Sequence, residues 1–155
     1  MTIVRIDSDY RTRVTSIEAA VRKRFPGALV GKESEEVCPV WHSWGDGCYV
    51  RELFCPPGVL AVTKIHKIAH PFFVLEGDVS VLTEAGVKRI QAPYYGITPR
   101  GTKRVVFTHT ATRWVTVHVT DETDVDKIED EIIARDFAEL GVTEGELDQL
   151  MGAGE

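Results

Sequence analysis

The amino-acid sequence predicts an all-β fold, either a barrel or a double-sheet jelly roll, with short helices only towards the two ends of the chain. Between residues 38 and 120, about nine short runs are rich in Val, Ile, Thr and aromatic residues, and no helical pattern interrupts them. Gly, Pro or Asp lies at most boundaries between the runs, as tight turns require. The runs are CPVWH, CYVRELFC, VLAVTKIHKI, PFFVL, DVSVLT, VKRIQA, YYGIT, KRVVFTHT and RWVTVHVT.

A short helix is predicted ahead of the strands, in the segment TSIEAAVRKRFPG. Thr15 and Glu18 have the spacing of a capping box, and Pro26 with Gly27 ends the helical pattern. The apolar residues that follow the cap near helical spacing are Ile17, Ala20, Val21 and Phe25.

Two hairpin turns are predicted within the β-rich region, at EGD (76–78) and at EAG (84–86). His66, in the third run, and His70, just before the fourth, lie four residues apart in a stretch that otherwise reads as buried strand. On one straight strand they would be roughly 13 Å apart, at about 3.3 Å per residue. A shared metal ion therefore requires the chain to bend between them.

Residues 123–151 are predicted to form two short helices. Thr123 with Asp126 would cap the first, and Thr143 with Glu146 would cap the second. Their apolar stripes are too narrow to form a core alone, so we expect them to pack outside the barrel or on a second subunit. The stripes comprise Val125, Ile128, Ile132 and Ile133 in the first helix and Leu147, Leu150 and Met151 in the second.

Length and composition fit a single domain, residues 1–155, with a barrel core at about 38–120. The amino-terminal segment lacks the apolar core of a signal peptide and no long apolar run is present, so we expect a cytoplasmic protein with no membrane partner. The three cysteines, Cys38, Cys48 and Cys55, contain no C-x-x-C pair, which indicates reduced thiols.

The net charge of −6 is unevenly distributed. Residues 121–155 hold thirteen Asp and Glu against two basic residues, a balance of −11, which leaves +5 for the other 120 residues. A basic body suits an anionic ligand, and it equally describes two faces that attract one another. The only basic cluster, RKRF at 22–25, is short and uses Phe25 for the helix core, so nucleic-acid binding is not expected.

Two motifs in the strand-rich region have glycine and proline at set spacings. In the first, Gly58 and Gly77 bracket positions 64, 66 and 70; in the second, Pro99 and Gly101 precede positions 104 and 108. This frame resembles the cupin superfamily, whose motifs are G-x5-H-x-H-x3-E-x6-G and G-x5-P-x-G-x2-H-x3-N. The resemblance extends over roughly residues 38–120 and implies a double-stranded β-helix, the jelly-roll barrel of cupins, with its glycines at tight corners.

The polar positions of the two motifs differ from the family pattern. Cupins usually carry His, His, Glu and His as metal ligands, and this chain has Lys64, His66, His70 and Arg104 there. Pro93 and Thr108 also depart from the pattern. The resemblance implies that His66 and His70 approach from adjacent strands. A third ligand is needed, because arginine cannot give up its proton.

His118 is the predicted third ligand. In RWVTVHV it shares one strand face with Trp114, so both are expected to line the same cavity. His109 has the opposite parity to Arg104, so one of the two should point inward unless a bulge intervenes, and we expect Arg104 to do so. His42 reads as a loop or strand-end residue.

Two chemical hypotheses stay open for this pocket. In the first, His66, His70 and His118 hold a divalent transition metal such as Zn, Ni, Mn or Fe, and the resemblance implies oxygenase, lyase or isomerase chemistry. In the second, a metal-free pocket binds an anionic or sugar-like small molecule, as in epimerase-type cupins, with His66 or His70 as base. The acid would then be Tyr95 or Tyr49, and the anion would be held by Lys64, Arg104 and Arg51.

A third hypothesis is a binding or assembly module without catalysis. The K-x-H-x3-H and P-x-G-T-K-R motifs also resemble those of uncharacterised cupins from bacterial and phage genomes. Because cupins commonly associate through their sheets, the resemblance implies a homodimer.

Overall fold

A computed structural model describes residues 12, 14–16, 19–20, 23, 31–83 and 86–134, with residues 31–33 described by their backbone alone. The described residues between 12 and 23 are helical, so a helix lies in this segment as predicted, but Thr12 and Val14 already belong to it and Thr15 is not its cap. A 3₁₀ helix follows at Gly31–Glu36, and an α-helix, α1, spans Val125–Ile132. No helix within these ranges has the length and apolar character needed to cross a bilayer. The second predicted carboxy-terminal helix lies outside the described residues.

Each of the nine β-rich runs contains strand, so the all-β prediction is confirmed. The run 59–68 divides into two strands, because residues 63 and 64 leave the strand conformation. The strands are β1 (Val40–Gly45), β2 (Cys48–Cys55), β3 (Leu60–Val62), β4 (Ile65–His66), β5 (His70–Glu76), β6 (Asp78–Thr83), β7 (Gly86–Gln91), β8 (Tyr94–Thr98), β9 (Val105–Thr108), β10 (Thr112–Val119) and β11 (Ile133–Ala134).

The strands form two large antiparallel sheets and one small one. The five-stranded sheet has the order β1-β2-β10-β5-β8, and the four-stranded sheet has the order β3-β9-β6-β7. In the small sheet, β11 pairs with β4. The main core lies between the large sheets, where Phe72 and Val74 of β5 meet apolar side chains of the other sheet. Those side chains are Val79, Val81, Ile90 and Val106. Burial of each large apolar side chain contributes about 1.5–3 kcal/mol.

Of the two predicted hairpins, only EAG is one. It joins β6 to β7, where Thr83 pairs with Gly86. EGD joins β5 of the five-stranded sheet to β6 of the four-stranded sheet, so the chain crosses between sheets there. Gly77 has a φ of 116°, and a Cβ atom on it would lie 2.5 Å from the Thr112 hydroxyl oxygen. The local sequence predicts a turn, but it does not determine whether the two strands joined by the turn pair with each other or belong to different sheets.

Helix α1 packs against the barrel of its own chain. Its N-cap is Asp124, one residue after the predicted Thr123, and the Asp124 side chain accepts hydrogen bonds from two backbone N–H groups of the first turn. Ile128 and Ile132 are buried against Tyr49 of β2. The predicted fourth member of the stripe, Ile133, has left the helix and lies in β11.

Candidate functional site

The chain folds back between β4 and β5, which brings the two motif histidines together. Residues 67–68 form a bend, and the ring centroids of His66 and His70 are 4.4 Å apart. The backbone N–H of His66 donates to the Thr102 carbonyl at 3.2 Å, and the His66 carbonyl accepts from the Gly101 N–H at 2.8 Å. These bonds hold His66 against the second motif. The fold-back that the resemblance implied is therefore confirmed.

A third imidazole joins from β10. The His118 ring centroid lies 4.4 Å from that of His70 and 6.3 Å from that of His66. Thr116 of β10 pairs with Phe72 of β5, so the antiparallel register places His118 opposite His70 on the same face. His66, His70 and His118 thus form one histidine cluster, as predicted. Their roles as ligands or bases stay predictions.

Burial keeps the histidine cluster unprotonated at neutral pH. Burial, with smaller contributions from the neighbouring imidazoles of His70 and His118, lowers the pKa of His66 to about 3. Burial lowers the pKa of His118 to about 4, with smaller contributions from His70 and Arg51. The pKa of His70 is also lowered, again by burial first and then by the charge on Arg104. All three rings therefore carry a lone pair at pH 7.

The hydrogen bonds of these rings leave some nitrogens available. Nδ1 of His70 lies 3.1 Å from the Ile68 carbonyl oxygen, which can only accept, so Nδ1–H donates and Nε2 carries the lone pair. Nε2 of His118 is hydrogen bonded to Thr116 Oγ1 at 2.9 Å. Nδ1 of His66 is buried with no hydrogen-bond partner among the described residues. An unsatisfied buried polar atom costs about 1–3 kcal/mol, so this nitrogen is suited to meet a ligand or a water molecule.

Two guanidinium groups lie beside the histidine cluster. Arg51 of β2 pairs with Thr116 of β10 and with His42 of β1, which places it on the sheet face that carries His118. Nε of Arg104 is buried and has no hydrogen-bond partner among the described residues. The described residues contain no ion-pair partner for either guanidinium. Within the described ranges, two cations thus approach the imidazoles with no carboxylate paired to either.

His109 faces away from the histidine cluster. Its Nε2 lies 2.7 Å from Ser80 Oγ, and Ser80 pairs with exposed Arg89 and Phe107 on the outer side of the four-stranded sheet. The prediction that Arg104 rather than His109 points inward is therefore confirmed.

Three other residues predicted for the pocket lie outside the cluster. Lys64 is exposed, and its ammonium pairs with Glu129 of α1 at 3.1 Å. Tyr95 is 75% exposed and packs against Phe73 on the outer side of the five-stranded sheet. Trp114 lies in the main core. Its ring centroid is 4.8 Å from that of Phe72, and it lies four residues along β10 from His118.

An aromatic wall, formed by His42, Trp44 and Tyr49, extends the cluster towards β1. Tyr49 pairs with Trp44 of β1 and with His118 of β10. Its ring centroid lies 5.7 Å from that of Trp44 and 5.9 Å from that of His118. The His42 ring stacks on Tyr49 at 5.8 Å and on Trp44 at 6.3 Å. Burial raises the pKa of Tyr49, although Arg51 opposes this, so its phenol stays protonated and shares a 2.6 Å hydrogen bond with Nδ1 of His42.

Trp44 is the site residue that the sequence reasoning missed, and His42 lies within β1 rather than in a loop. The available signal was the alternation in VWHSWG, which puts His42 and Trp44 on one strand face. The turn at Asp46–Gly47 then pairs β1 with β2, so these two side chains share a sheet face with Arg51 and Tyr49.

The donor chemistry of the cluster suits a divalent transition metal, but the ring placement does not. Neutral imidazole is a common ligand of zinc, nickel and iron. In the part of the chain that the structure describes, no group of three or more His, Cys, Asp or Glu side chains is arranged to hold a metal ion. The imidazoles of His66, His70 and His118 would have to rotate before their lone pairs met at one point.

A shallow groove lies at the far end of β5 from His70. It contains none of the residues predicted for the site. Its lining comprises Leu75, Glu76, Gly77, Asp78, Gln91, Ala92, Pro93 and Thr110.

Comparison with known proteins yields structural likenesses only; no family model and no curated protein matches the sequence. The cupin domain of Schizosaccharomyces pombe Cnp3 is 18% identical, with 74% of this chain and 81% of that chain covered and a TM-score of 0.46. A cupin domain from Bordetella pertussis is 17% identical, covering 54% and 93%, with a TM-score of 0.43. Salicylate 1,2-dioxygenase from Pseudoaminobacter salicylatoxidans is 12% identical, covering 72% and 32%, with a TM-score of 0.48.

The corners of the two motifs adopt the backbone conformations that the frame requires. Gly58, Gly77 and Gly101 have φ values of 79°, 116° and 77°, a region that favours glycine. Between these corners the chain alternates between two facing antiparallel sheets, and β4 folds back onto β5 at the first motif. The described part of the chain therefore has a double-sheet jelly-roll fold, as the resemblance of the two motifs implied.

Proposed function

We propose that this chain binds an anionic small molecule at the histidine cluster, with Arg51 and Arg104 as its charge partners. The observation that carries this function is the pair of guanidiniums beside neutral, buried imidazoles, with no carboxylate partner among the described residues. A buried cation without a counter-ion costs free energy that a bound anion would recover.

The residues present match the chemistry of carboxylates and phosphates. A guanidinium offers several N–H donors in a planar fork and binds such groups in a bidentate manner. The lone pair on Nε2 of His70 and the unpartnered Nδ1 of His66 add hydrogen-bonding groups for the rest of the ligand. With a lowered pKa, His70 would also serve as a proton acceptor at neutral pH. Tyr49 is the phenol closest to the cluster in the five-stranded sheet.

Thermal unfolding in the presence of anions tests this function. The panel is inorganic phosphate, mono- and dicarboxylates, and phosphosugars, each titrated to millimolar concentration. A ligand at 100 times its Kd stabilises the folded state by about 2.7 kcal/mol, which raises Tm by roughly 5–10 °C for a domain of this size. We expect a saturable increase with at least one anion, and its loss in Arg51→Met and Arg104→Met.

Arg113→Met is the matched control. Arg113 lies on the outer face of β10, where its guanidinium pairs with Glu52 at 2.7 Å, so the anion-induced shift should persist in this variant. If no anion in the panel changes the Tm of the wild type, the proposed function is wrong.

A second candidate function is metal binding, favoured by the donor chemistry of three neighbouring unprotonated imidazoles, whose rings would have to rotate to share one ion. The three unprotonated rings lie between 4.4 and 6.3 Å apart. A bound Zn, Ni, Mn or Fe ion would supply Lewis-acid or redox chemistry, with His66, His70 and His118 as its ligands. Arg51 and Arg104 would then hold an anionic substrate next to it.

Elemental analysis of protein purified without a histidine tag separates the two candidates. Metal binding predicts about one equivalent of metal in the wild type and in His109→Ala, and its loss in His66→Ala and His70→Ala. A wild type that contains far less than one equivalent, even after incubation with Zn, Ni, Mn or Fe salts, would exclude this function.

A further inference from the structure

We infer that the anion carries a flat conjugated ring, as in an aromatic or heteroaromatic carboxylate, with the ring packed on Trp44 and the carboxylate bound by Arg51. This inference rests on the proposed function and names the ligand class of the same site. It is carried by the placement of Trp44 relative to the histidine cluster and to Arg51.

A continuous row of rings crosses the five-stranded sheet at the site. The row runs from Trp44 on β1 to Tyr49 on β2, His118 on β10 and His70 on β5. Successive ring centroids are 5.7, 5.9 and 4.4 Å apart. Aromatic rings at such separations attract one another through their faces and edges. The row therefore links the buried histidine cluster to Trp44 on β1.

Trp44 is the accessible end of this row. Tyr49 and His118 are nearly fully buried, at 2% and 4% exposure, whereas Trp44 is 43% exposed. Part of its indole packs on Tyr49 and on His42, and the remainder is open on the side of the sheet that carries the site. An aromatic ring that covered this surface would bury apolar area and would also be attracted to the indole ring.

Arg51 lies at a suitable distance from Trp44 for a compact ligand. Tyr49 pairs with Trp44, and Arg51 is two residues further along the same strand as Tyr49. Arg51 and Trp44 are therefore diagonal neighbours on one sheet face, about 7–8 Å apart and within reach of each other's long side chains. A carboxylate attached directly to a ring spans that distance when the ring lies against the indole and the two oxygens face the guanidinium.

The wall offers fewer features that would recognise a sugar-like anion. A sugar ring is held chiefly through hydrogen bonds to its hydroxyl groups. Along the wall, the hydroxyl of Tyr49 and Nδ1 of His42 are already hydrogen bonded to each other. The wall thus offers a ligand mainly ring faces and the guanidinium of Arg51.

Titration with benzoate, cyclohexanecarboxylate and acetate, followed by ¹H–¹⁵N NMR, tests the inference. The three probes share the carboxylate and differ in the ring. We expect benzoate to bind about two- to tenfold more tightly than cyclohexanecarboxylate, and acetate to bind most weakly. The chain has three tryptophans, and the indole N–H signal of Trp44, assigned from Trp44→Phe, should shift with benzoate.

Trp44→Ala and Trp41→Ala form a matched pair of variants. Trp41 lies on the same strand, is 56% exposed, and faces the opposite side of the sheet, where it packs on Phe54. Trp44→Ala should abolish the preference for benzoate over cyclohexanecarboxylate, and Trp41→Ala should retain it. If Trp44→Ala does not fold, the shift of the wild-type Trp44 indole signal decides the question, because it requires no variant.

Failure of the inference and failure of the proposed function give different results. Equal affinities for benzoate and cyclohexanecarboxylate, together with carboxylate binding that Arg51→Met abolishes, would overturn the aromatic ligand class and leave the anion site intact. Absence of saturable binding by all three carboxylates and by inorganic phosphate would overturn both. Tighter binding of glucuronate than of benzoate would replace the aromatic class by a sugar acid.

Discussion

The imidazole rings of His66 and His70 lie 4.4 Å apart, although a straight strand would separate the two residues by roughly 13 Å. The bend at residues 67–68 produces this proximity, and backbone hydrogen bonds to Gly101 and Thr102 hold His66 in place. The fold thus places two uncharged imidazoles where protonation of either would be costly. That cost has consequences for stability.

The free energy of unfolding should rise with pH over the range in which the unfolded chain, but not the folded chain, has protonated imidazoles at these positions. In the unfolded chain these imidazoles have pKa values near 6.5, whereas in the folded chain His66 and His118 have pKa values of about 3 and about 4. Between these limits the unfolded state binds more protons than the folded state. The free energy of unfolding therefore has its full value above pH 6.5 and decreases as the pH falls. Each such imidazole contributes a slope of about 1.4 kcal/mol per pH unit.

Urea denaturation between pH 5 and pH 7 measures this slope. His118→Asn removes one of the titrating groups and should reduce the slope by about 1 kcal/mol per pH unit. His109→Asn, on the outer face of the other sheet, controls for the loss of a histidine elsewhere. An identical pH dependence in the wild type and in His118→Asn would contradict the assignment of buried, neutral imidazoles.

Arg104→Met should stabilise the ligand-free protein while it weakens anion binding. Nε of Arg104 is buried without a hydrogen-bond partner among the described residues, and methionine is an uncharged side chain that ends near the position of that atom. Removing an uncompensated buried cation should raise the free energy of unfolding by roughly 1–2 kcal/mol. Arg113→Met loses an ion pair to Glu52 and should leave stability unchanged or slightly lower. A clear loss of stability in Arg104→Met would show that the guanidinium is satisfied without a ligand.

Gly77→Ala should destabilise the fold more than Gly86→Ala. Both glycines have positive φ values, 116° and 107°, so the backbone strain is comparable. A Cβ atom at Gly77 would lie 2.5 Å from the Thr112 hydroxyl oxygen, whereas one at Gly86 meets nothing within 4 Å. We expect a loss of about 1 kcal/mol for Gly86→Ala and at least ~3 kcal/mol for Gly77→Ala. Chemical denaturation measures both, and equal losses would mean that the chain shifts at the Gly77 crossing.

The sequence predicted the part of the site that depends on spacing and on strand parity. The resemblance of the Gly58–Gly77 frame to the first cupin motif implied the fold-back at His66 and His70, and alternation along β10 placed His118 on the inner face. Parity also separated Arg104 from His109. The two parity inferences use only the period of a strand, which the chain carries locally.

The residues that were wrongly predicted to line the pocket are those whose positions depend on contacts between distant parts of the chain. Tyr95 faces outward because it pairs with Phe73, whose neighbours Phe72 and Val74 fill the core. Lys64 lies between β3 and β4 and reaches Glu129 because α1 packs over the barrel at that point. Which strand lies beside which, and where a helix returns, is set by the packing of the whole domain rather than by any short segment.

The homodimer that the cupin resemblance implies stays a prediction, and the outer face of the five-stranded sheet is its expected surface. Tyr95 and Ile97 of β8 are 75% and 61% exposed there. Contiguous apolar surface of this kind commonly marks an interface. Light scattering with gel filtration should give twice the chain mass for the wild type and the single-chain mass for Ile97→Lys, because a lysine buried across a two-fold contact lacks a partner. Val87→Lys, at a 73% exposed position on the other large sheet, should remain dimeric. A monomeric wild type would contradict the prediction, and dissociation by Val87→Lys instead would move the interface to the four-stranded sheet.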